Sequence, residues 1–363
     1  MKNKFEFNEW KFINKWNFNK WNKPISNDFV DRWHSDAFKS KDIAMKIFKD
    51  ITYNLIISPH PSSGWRSLPN QKLQTIQINE NGLRSPSLKN LKFKKNCLLF
   101  GGSTAWGFGA SSNEYILSYL IEELMSKKYG IEFNVINFGE QNHTSFEEMK
   151  TFISVVDELD PILVIFLSGV NDINVSYINL FKSSDLYSAW INYFLWGYKL
   201  GIVREQNIFK QIIKFILRSH KKNKIVDHDY FFFKKPKRDN IFLDLYSNKV
   251  SFLNSYCSAK KIKIVHLLQP DLLFKKDKSD FETKYANYLP DDKKEFTINS
   301  FKILKEKFFR GNNDNDKHIF IDCLNLFEDF KETIFVDKNH FSDKGYQIFS
   351  DKVCSQIVKK NIL

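Results

Sequence analysis

The chain is poor in cysteine: Cys97, Cys257, Cys323 and Cys354 are scattered through 363 residues, and no two form a C-x-x-C pair. That spacing excludes a zinc ribbon and a disulfide framework, and it suits a reducing compartment. Long apolar runs are missing as well. No window approaches the ~20 apolar residues of a membrane span, and the opening "MKNKFEFNEWKFINKWNFNKW" has no apolar core of the kind a secretory leader needs. A cytoplasmic location is therefore expected, with peripheral membrane contact through this segment as the variant. Acidic charge is the scarcer sign, 42 Asp+Glu against 55 Lys+Arg, for a net charge of +13. The surplus favours anionic partners. The lysines are spread along the whole chain rather than gathered into a patch, so nucleic acid is not expected as a partner. The dinucleotide fingerprint G-x-G-x-x-G is lacking, since Gly107-Phe108-Gly109 runs on into Ala110-Ser111-Ser112. Full metal-ligand sets are lacking too. Asp227-His228-Asp229 and the "NNDND" run at 312–316 carry ligand-type residues, and both read as solvated loops. Neither cofactor nor metal is expected.

Hydrophobic residues make up 42% of the chain, enough for a sizeable core. At roughly 150 residues per domain, the length allows one large domain with elaborations. Residues 1–80 are expected to be an extension that packs on the main domain. Its Trp10, Phe12, Trp16, Phe18, Trp21 and Trp33 alternate with Lys and Asn, and aromatics contribute large buried areas. Within "TIQINENGLRSPSL", alternation predicts an edge strand and Asn81-Gly82 a turn. From Cys97 to the end (the domain is placed at 81–363) strand and helix alternate. "CLLF", "FNVINFG", "ILVIFL", "IKIVHLL" and "HIFID" read as strands. Ser111-x-x-Glu114 and Ser145-x-x-Glu148 read as capping boxes of two helices. Further helices are expected near 243–259 and 343–359, and a helical insertion at about 174–240 interrupts the rhythm. This order predicts an α/β fold with an open, mostly parallel sheet and helices on both faces.

Ligands bind such sheets at the carboxyl ends of the strands. Ser103 follows the first strand, Gly139 the second and Asn171 the third, while His340 precedes the last helix with Asp337 three residues before it. A serine hydroxyl is a weak nucleophile without an adjacent base. His340 supplies that base, and Asp337 accepts its other ring proton and fixes the tautomer. The backbone N–H groups of Ser103 and Gly139, with the Asn171 side-chain amide, are the expected donors to an oxyanion. Asp172 is read as fixing its loop, and His143 as a polar loop residue or substrate contact.

The pieces "FGGSTAWGFG", "NFG", "GVND" and "DKNH" resemble blocks one, two, three and five of the SGNH (GDSL-like) hydrolases. "NENGLRS" and "HLLQPDL" also resemble segments of bacterial members that work on surface carbohydrates. The resemblance covers about residues 80–175 and 240–360. Where the commonest block one is Gly-Asp-Ser-Leu, this chain has Gly-Gly-Ser-Thr. The resemblance implies a flavodoxin-like three-layer α/β/α sandwich and acyl-ester hydrolysis without metal or cofactor. The leading expectation is a serine esterase that removes a small acyl group, such as acetyl, from a carbohydrate or related ester. An O-acyltransferase on the same residues differs only in the acceptor. A noncatalytic glycan- or membrane-associated module is the third reading. Oligomeric state is not readable from these features.

Overall fold

The computed structural model describes residues 35–60, 62–178, 241–309 and 318–362. The aromatic segment before residue 35, the Asp227-His228-Asp229 and 312–316 runs, and nearly all of the 174–240 insertion lie outside the described residues.

In chain order the helices are α1 (Lys41–Lys49), α2 (Ser103–Trp106), α3 (Leu117–Tyr129), α4 (Ser145–Leu159), α5 (Val170–Ile178), α6 (Ile241–Lys260), α7 (Asp280–Tyr288), α8 (Asp291–Leu304) and α9 (Asp343–Lys359). A hairpin, β1 (Ile57–His60) and β2 (Gly64–Ser67), precedes the main sheet. That sheet contains β3 (Asn96–Gly101), β4 (Asn134–Asn137), β5 (Leu163–Ser168), β6 (Lys263–Leu268) and β7 (His318–Asp322). Its order is β4-β3-β5-β6-β7 and every pairing is parallel. Counted from β3 this is 2-1-3-4-5, the flavodoxin-like order, whose switch point lies between β3 and β5. Chain leaving those two strands opens a crevice at their carboxyl ends, and Ser103 and Asn171 are on its two sides.

β3, β4, β5 and β6 bury both faces, as their near-continuous apolar sequences require, while β7 alternates, with Ile319 and Ile321 buried. Leu99, Ile165 and Leu267 face a layer formed by α3 and α9. Leu98, Phe100, Val164 and Phe166 face α4 and α6 through Phe152, Val156, Leu253 and Cys257. Phe100 stacks between Phe138 and Phe166 with centroids at 5.4 and 4.9 Å. Such pairs contribute about 0.5–1.5 kcal/mol each beyond area burial. All four cysteines are buried and unpaired. The fold is thus an α/β/α sandwich, as expected. No helix among the described residues is long and apolar enough to cross a membrane.

Three local expectations differ. The edge strand near residue 75 is replaced by a turn-rich segment with an isolated bridge, Lys72 to Gln77, and further backbone bonds such as Ile78 N–H to the Gln71 carbonyl at 2.8 Å. Ser111 caps no helix: its N–H and Oγ donate to Asp343 at the start of α9, at 2.8 and 2.6 Å, and α3 begins only at Leu117. The second capping box exists one residue earlier than expected, on Thr144 and Glu147. Ser145 and Glu148 are thereby turned inward. The polar stretch after β6 also contains two helices, α7 and α8.

Candidate active site

The strand β3 ends at Gly101, and Gly102 precedes the single-turn helix α2. Small size is essential here. A Cβ on Gly102 would lie 2.4 Å from Asn171 Nδ2, and one on Gly101 would lie 2.6 Å from Ala105 Cβ. The two glycines let the end of β3 approach the segment leaving β5. Ser103 opens α2, where a backbone N–H has no intrahelical acceptor. Its Oγ is 2.6 Å from His340 Nε2. A Gly102→Ala variant is expected to push the Asn171 amide aside and lower kcat about 10²-fold, the low end for loss of one oxyanion donor. Steady-state kinetics beside far-UV circular dichroism checks this, and unchanged turnover would sink it.

His340 is held by Asp337 and by packing. Asp337 Oδ1 accepts the backbone N–H groups of Asn339 and His340, both at 3.0 Å, so the carboxylate is fixed by the loop it organises. His340 Nδ1 lies 2.7 Å from Asp337 Oδ2. With Nδ1–H donating there, Nε2 presents its lone pair to the Ser103 hydroxyl. The Phe108 ring stacks on the imidazole at 4.2 Å. Sequence reasoning missed the residues that tie this loop to α2. Gln269 Nε2 donates to Thr104 Oγ1 and to the Asn339 carbonyl, both at 2.8 Å. The Tyr346 hydroxyl lies 2.9 Å from the Thr104 carbonyl. Gln269 follows β6 at the same sheet edge, and that position was the available signal.

The expected oxyanion donors are placed differently from one another. Asn171, at the start of α5, donates from Nδ2 to the His143 carbonyl at 2.8 Å and lies against Gly102. Ser103 and Asn171 both line a cavity of about 10 Å³ together with His143, Glu148, Ser168 and Gln269. Gly139 is not in that lining. Its N–H donates to Asn137 Oδ1 at 2.9 Å, and a Cβ there would lie 2.6 Å from Trp106 N. The glycine is needed for close packing beneath α2, and its donor is already committed. His143 is buried and reaches the Trp65 carbonyl from Nε2 at 3.3 Å. Burial pushes its imidazole down to about 3, so the ring is neutral.

Behind Asn171 is a buried polar cluster. Ser145 donates to Asp172 from its N–H at 3.1 Å and from Oγ at 2.6 Å. Asp172 therefore does fix the loop. Lys249 of α6 donates to Ser145 Oγ at 3.0 Å. The Ser168 hydroxyl bonds Glu148. Burial, reinforced by the Asp172 charge, holds the Glu148 carboxyl well above the usual range.

Glu140, next to Gly139, accepts from Ser67 N at 2.8 Å, Ser67 Oγ at 3.1 Å and Gln141 N at 3.0 Å. Burial pushes its carboxyl from 4.5 up to about 7, against these bonds and the Arg66 charge. An acid raised in this way keeps its proton in the fold after the unfolded chain has lost its own. Its contribution to stability declines as pH rises from 4.5 to about 7 and is level above that. Glu140→Gln removes the titration. From pH 5 to pH 8, the stability of wild type minus variant is expected to fall by roughly 2–3 kcal/mol, at about 1.4 kcal/mol per pKa unit. Urea unfolding at both pH values measures it, and a constant difference would refute it.

No group of three or more His, Cys, Asp or Glu suited to a metal is found among the described residues. The model of the GDSL-like Lipase/Acylhydrolase family matches residues 98–353. A search of curated protein sequences finds no match. Among solved structures, an acetylxylan esterase from Geobacillus stearothermophilus aligns at 14% identity and TM-score 0.40, covering 73% of this chain and 94% of that one. A putative acylhydrolase from Bacteroides fragilis aligns at 12% and 0.36, covering 75% and 90%. A GDSL-like lipase from Bacteroides thetaiotaomicron aligns at 12% and 0.35, covering 73% and 88%.

Proposed function

The chain belongs to the GDSL-like lipase/acylhydrolase family and is an ester-bond hydrolase, and from that premise we propose that it works as a serine esterase through Ser103, His340 and Asp337. The observation that carries the reading is the unbroken relay from Ser103 Oγ to His340 Nε2 at 2.6 Å and from His340 Nδ1 to Asp337 at 2.7 Å. Ser103 Oγ attacks the ester carbonyl while His340 takes its proton. The tetrahedral oxyanion receives the Ser103 N–H and the Asn171 amide. Gly139, the third donor expected from sequence, keeps its N–H on Asn137, so the proposal rests on two donors. Asp337 stays ionised and stabilises the imidazolium. The alcohol leaves with the proton from His340. A water then attacks the acyl-enzyme as His340 takes its proton, and the acid is released.

The polar side chains of Ser168, Glu148, His143 and Gln269 around the cavity support a small acyl group such as acetyl over a fatty chain, which needs an apolar wall. The alcohol is proposed to be a sugar hydroxyl, supported by the resemblance of "NENGLRS" and "HLLQPDL" to segments of bacterial members that work on surface carbohydrates. The test is labelling with a fluorophosphonate probe and turnover of p-nitrophenyl acetate. Wild type is expected to label and turn over, and labelling that survives Ser103→Ala would remove the assignment.

A further inference from the structure

We propose that strand β2, outside the family-matched segment, positions the oxyanion donor Asn171 by clamping the loop 139–143; this rests on the esterase reading above. Among the described residues, the Asn171 side-chain amide is oriented by the His143 carbonyl at 2.8 Å. Where that carbonyl points depends on the loop that carries it, and β2 bonds this loop at three successive places. Ser67 N and Oγ donate to Glu140 at 2.8 and 3.1 Å. The Trp65 indole Nε1–H donates to the Gln141 carbonyl at 2.8 Å. His143 Nε2 meets the Trp65 carbonyl at 3.3 Å, and the two rings meet edge to face at 5.2 Å.

Within this clamp Asn142 has φ +60°, the left-handed region. Asparagine reaches that conformation more readily than most residues, but it is not the relaxed state of a free loop. The bonds from β2 fall on both sides of Asn142, on residues 140, 141 and 143. Those internal to the loop, His143 N to the Glu140 carbonyl at 3.3 Å and Gln141 N to Glu140 Oε1 at 3.0 Å, depend on the same Glu140 that Ser67 holds. Trp65 and Ser67 are therefore positioning residues: they act on the reacting centre through the His143 carbonyl and the Asn171 amide.

The experiment uses the full chain. Trp65→Phe keeps an aromatic ring against His143 and removes the indole donor, and Glu140→Ala removes the bonds to Ser67. Each is expected to lower kcat about tenfold, since a misplacement of about 1 Å can cost about 10²-fold and a smaller tilt of the amide is expected. KM is expected to stay within about twofold, because a donor acting mainly in the transition state changes kcat rather than binding. In an Asn171→Ala background the same substitutions are expected to change kcat less than about twofold, since there is no amide left to position. An undiminished tenfold loss in that background would overturn the proposal. A second readout does not use activity. The side-chain amide signal of Asn171, assigned by its disappearance in Asn171→Ala, is expected to move in both variants in spectra of asparagine-labelled protein. An unmoved signal in folded Trp65→Phe and Glu140→Ala overturns the proposal. If wild type neither labels nor turns over ester, the esterase reading falls, and the Asn171 signal alone decides whether β2 positions it.

Discussion

Ser103→Ala and His340→Ala are each expected to lower ester turnover by a factor on the order of 10⁵ or more, and the double variant is expected to lose no more than either single one. The reason is the shared step. In the proposed mechanism the hydroxyl attacks only while His340 Nε2 takes its proton, so removing either partner removes the whole pathway. Residual rate would come from the Ser103 N–H and the Asn171 amide. Asp337→Asn separates orientation from charge. Oδ1 of an asparagine still accepts the N–H groups of Asn339 and His340, which Asp337 holds at 3.0 Å, so the loop is kept. The imidazole is then free to take the wrong tautomer, with an expected loss of about 10⁴ in kcat. Single-turnover kinetics with p-nitrophenyl acetate measures all four variants. Losses that multiply in the double variant would show that Ser103 and His340 do not share a step.

What the sequence made legible was the placement of residues at strand ends. Four buried strands carry their signal in short apolar runs, and parallel order follows from helices between them. That alone gathers Ser103, Asn171 and His340 at one edge. It could not tell which glycine N–H faces the crevice. Gly139 follows its strand as a donor should, yet Asn137, two residues back, takes its N–H. A side chain that caps a neighbouring amide leaves no periodic trace. The one-residue error in the α4 cap has a similar origin. Thr144-x-x-Glu147 and Ser145-x-x-Glu148 are equally good capping boxes in sequence. Tertiary context chose the first, because Ser145 and Glu148 are engaged by Asp172 and Ser168. The contribution of β2 was illegible for a different reason: its contacts to Glu140 and Gln141 span more than seventy residues of sequence.

The second large effect is expected at Lys275, far in sequence from Ser103, Asn171 and His340. Its ammonium meets Glu282 at 2.5 Å, and both side chains are fully buried. It also donates to the Glu332 carbonyl at 2.6 Å. Glu282 in turn accepts the N–H groups of Ile334 and Phe335, both at 3.0 Å, while completing the capping box of α7 with Ser279. The pair thus pins residues 332–335, the run that leads directly into Asp337 and His340. Lys275→Met leaves a buried carboxylate without its cation. Breaking one side of such a pair costs about 3–5 kcal/mol, which lowers Tm by roughly 10 °C at about 2–4 °C per kcal/mol. The double variant Lys275→Met, Glu282→Gln removes the stranded charge and is expected to recover part of that loss, since an uncharged pair has a smaller desolvation cost. Thermal and urea unfolding of the three proteins distinguishes the cases. A single variant that loses less than about 1 kcal/mol would mean that water reaches Glu282 and that the strap before Asp337 is held by packing instead.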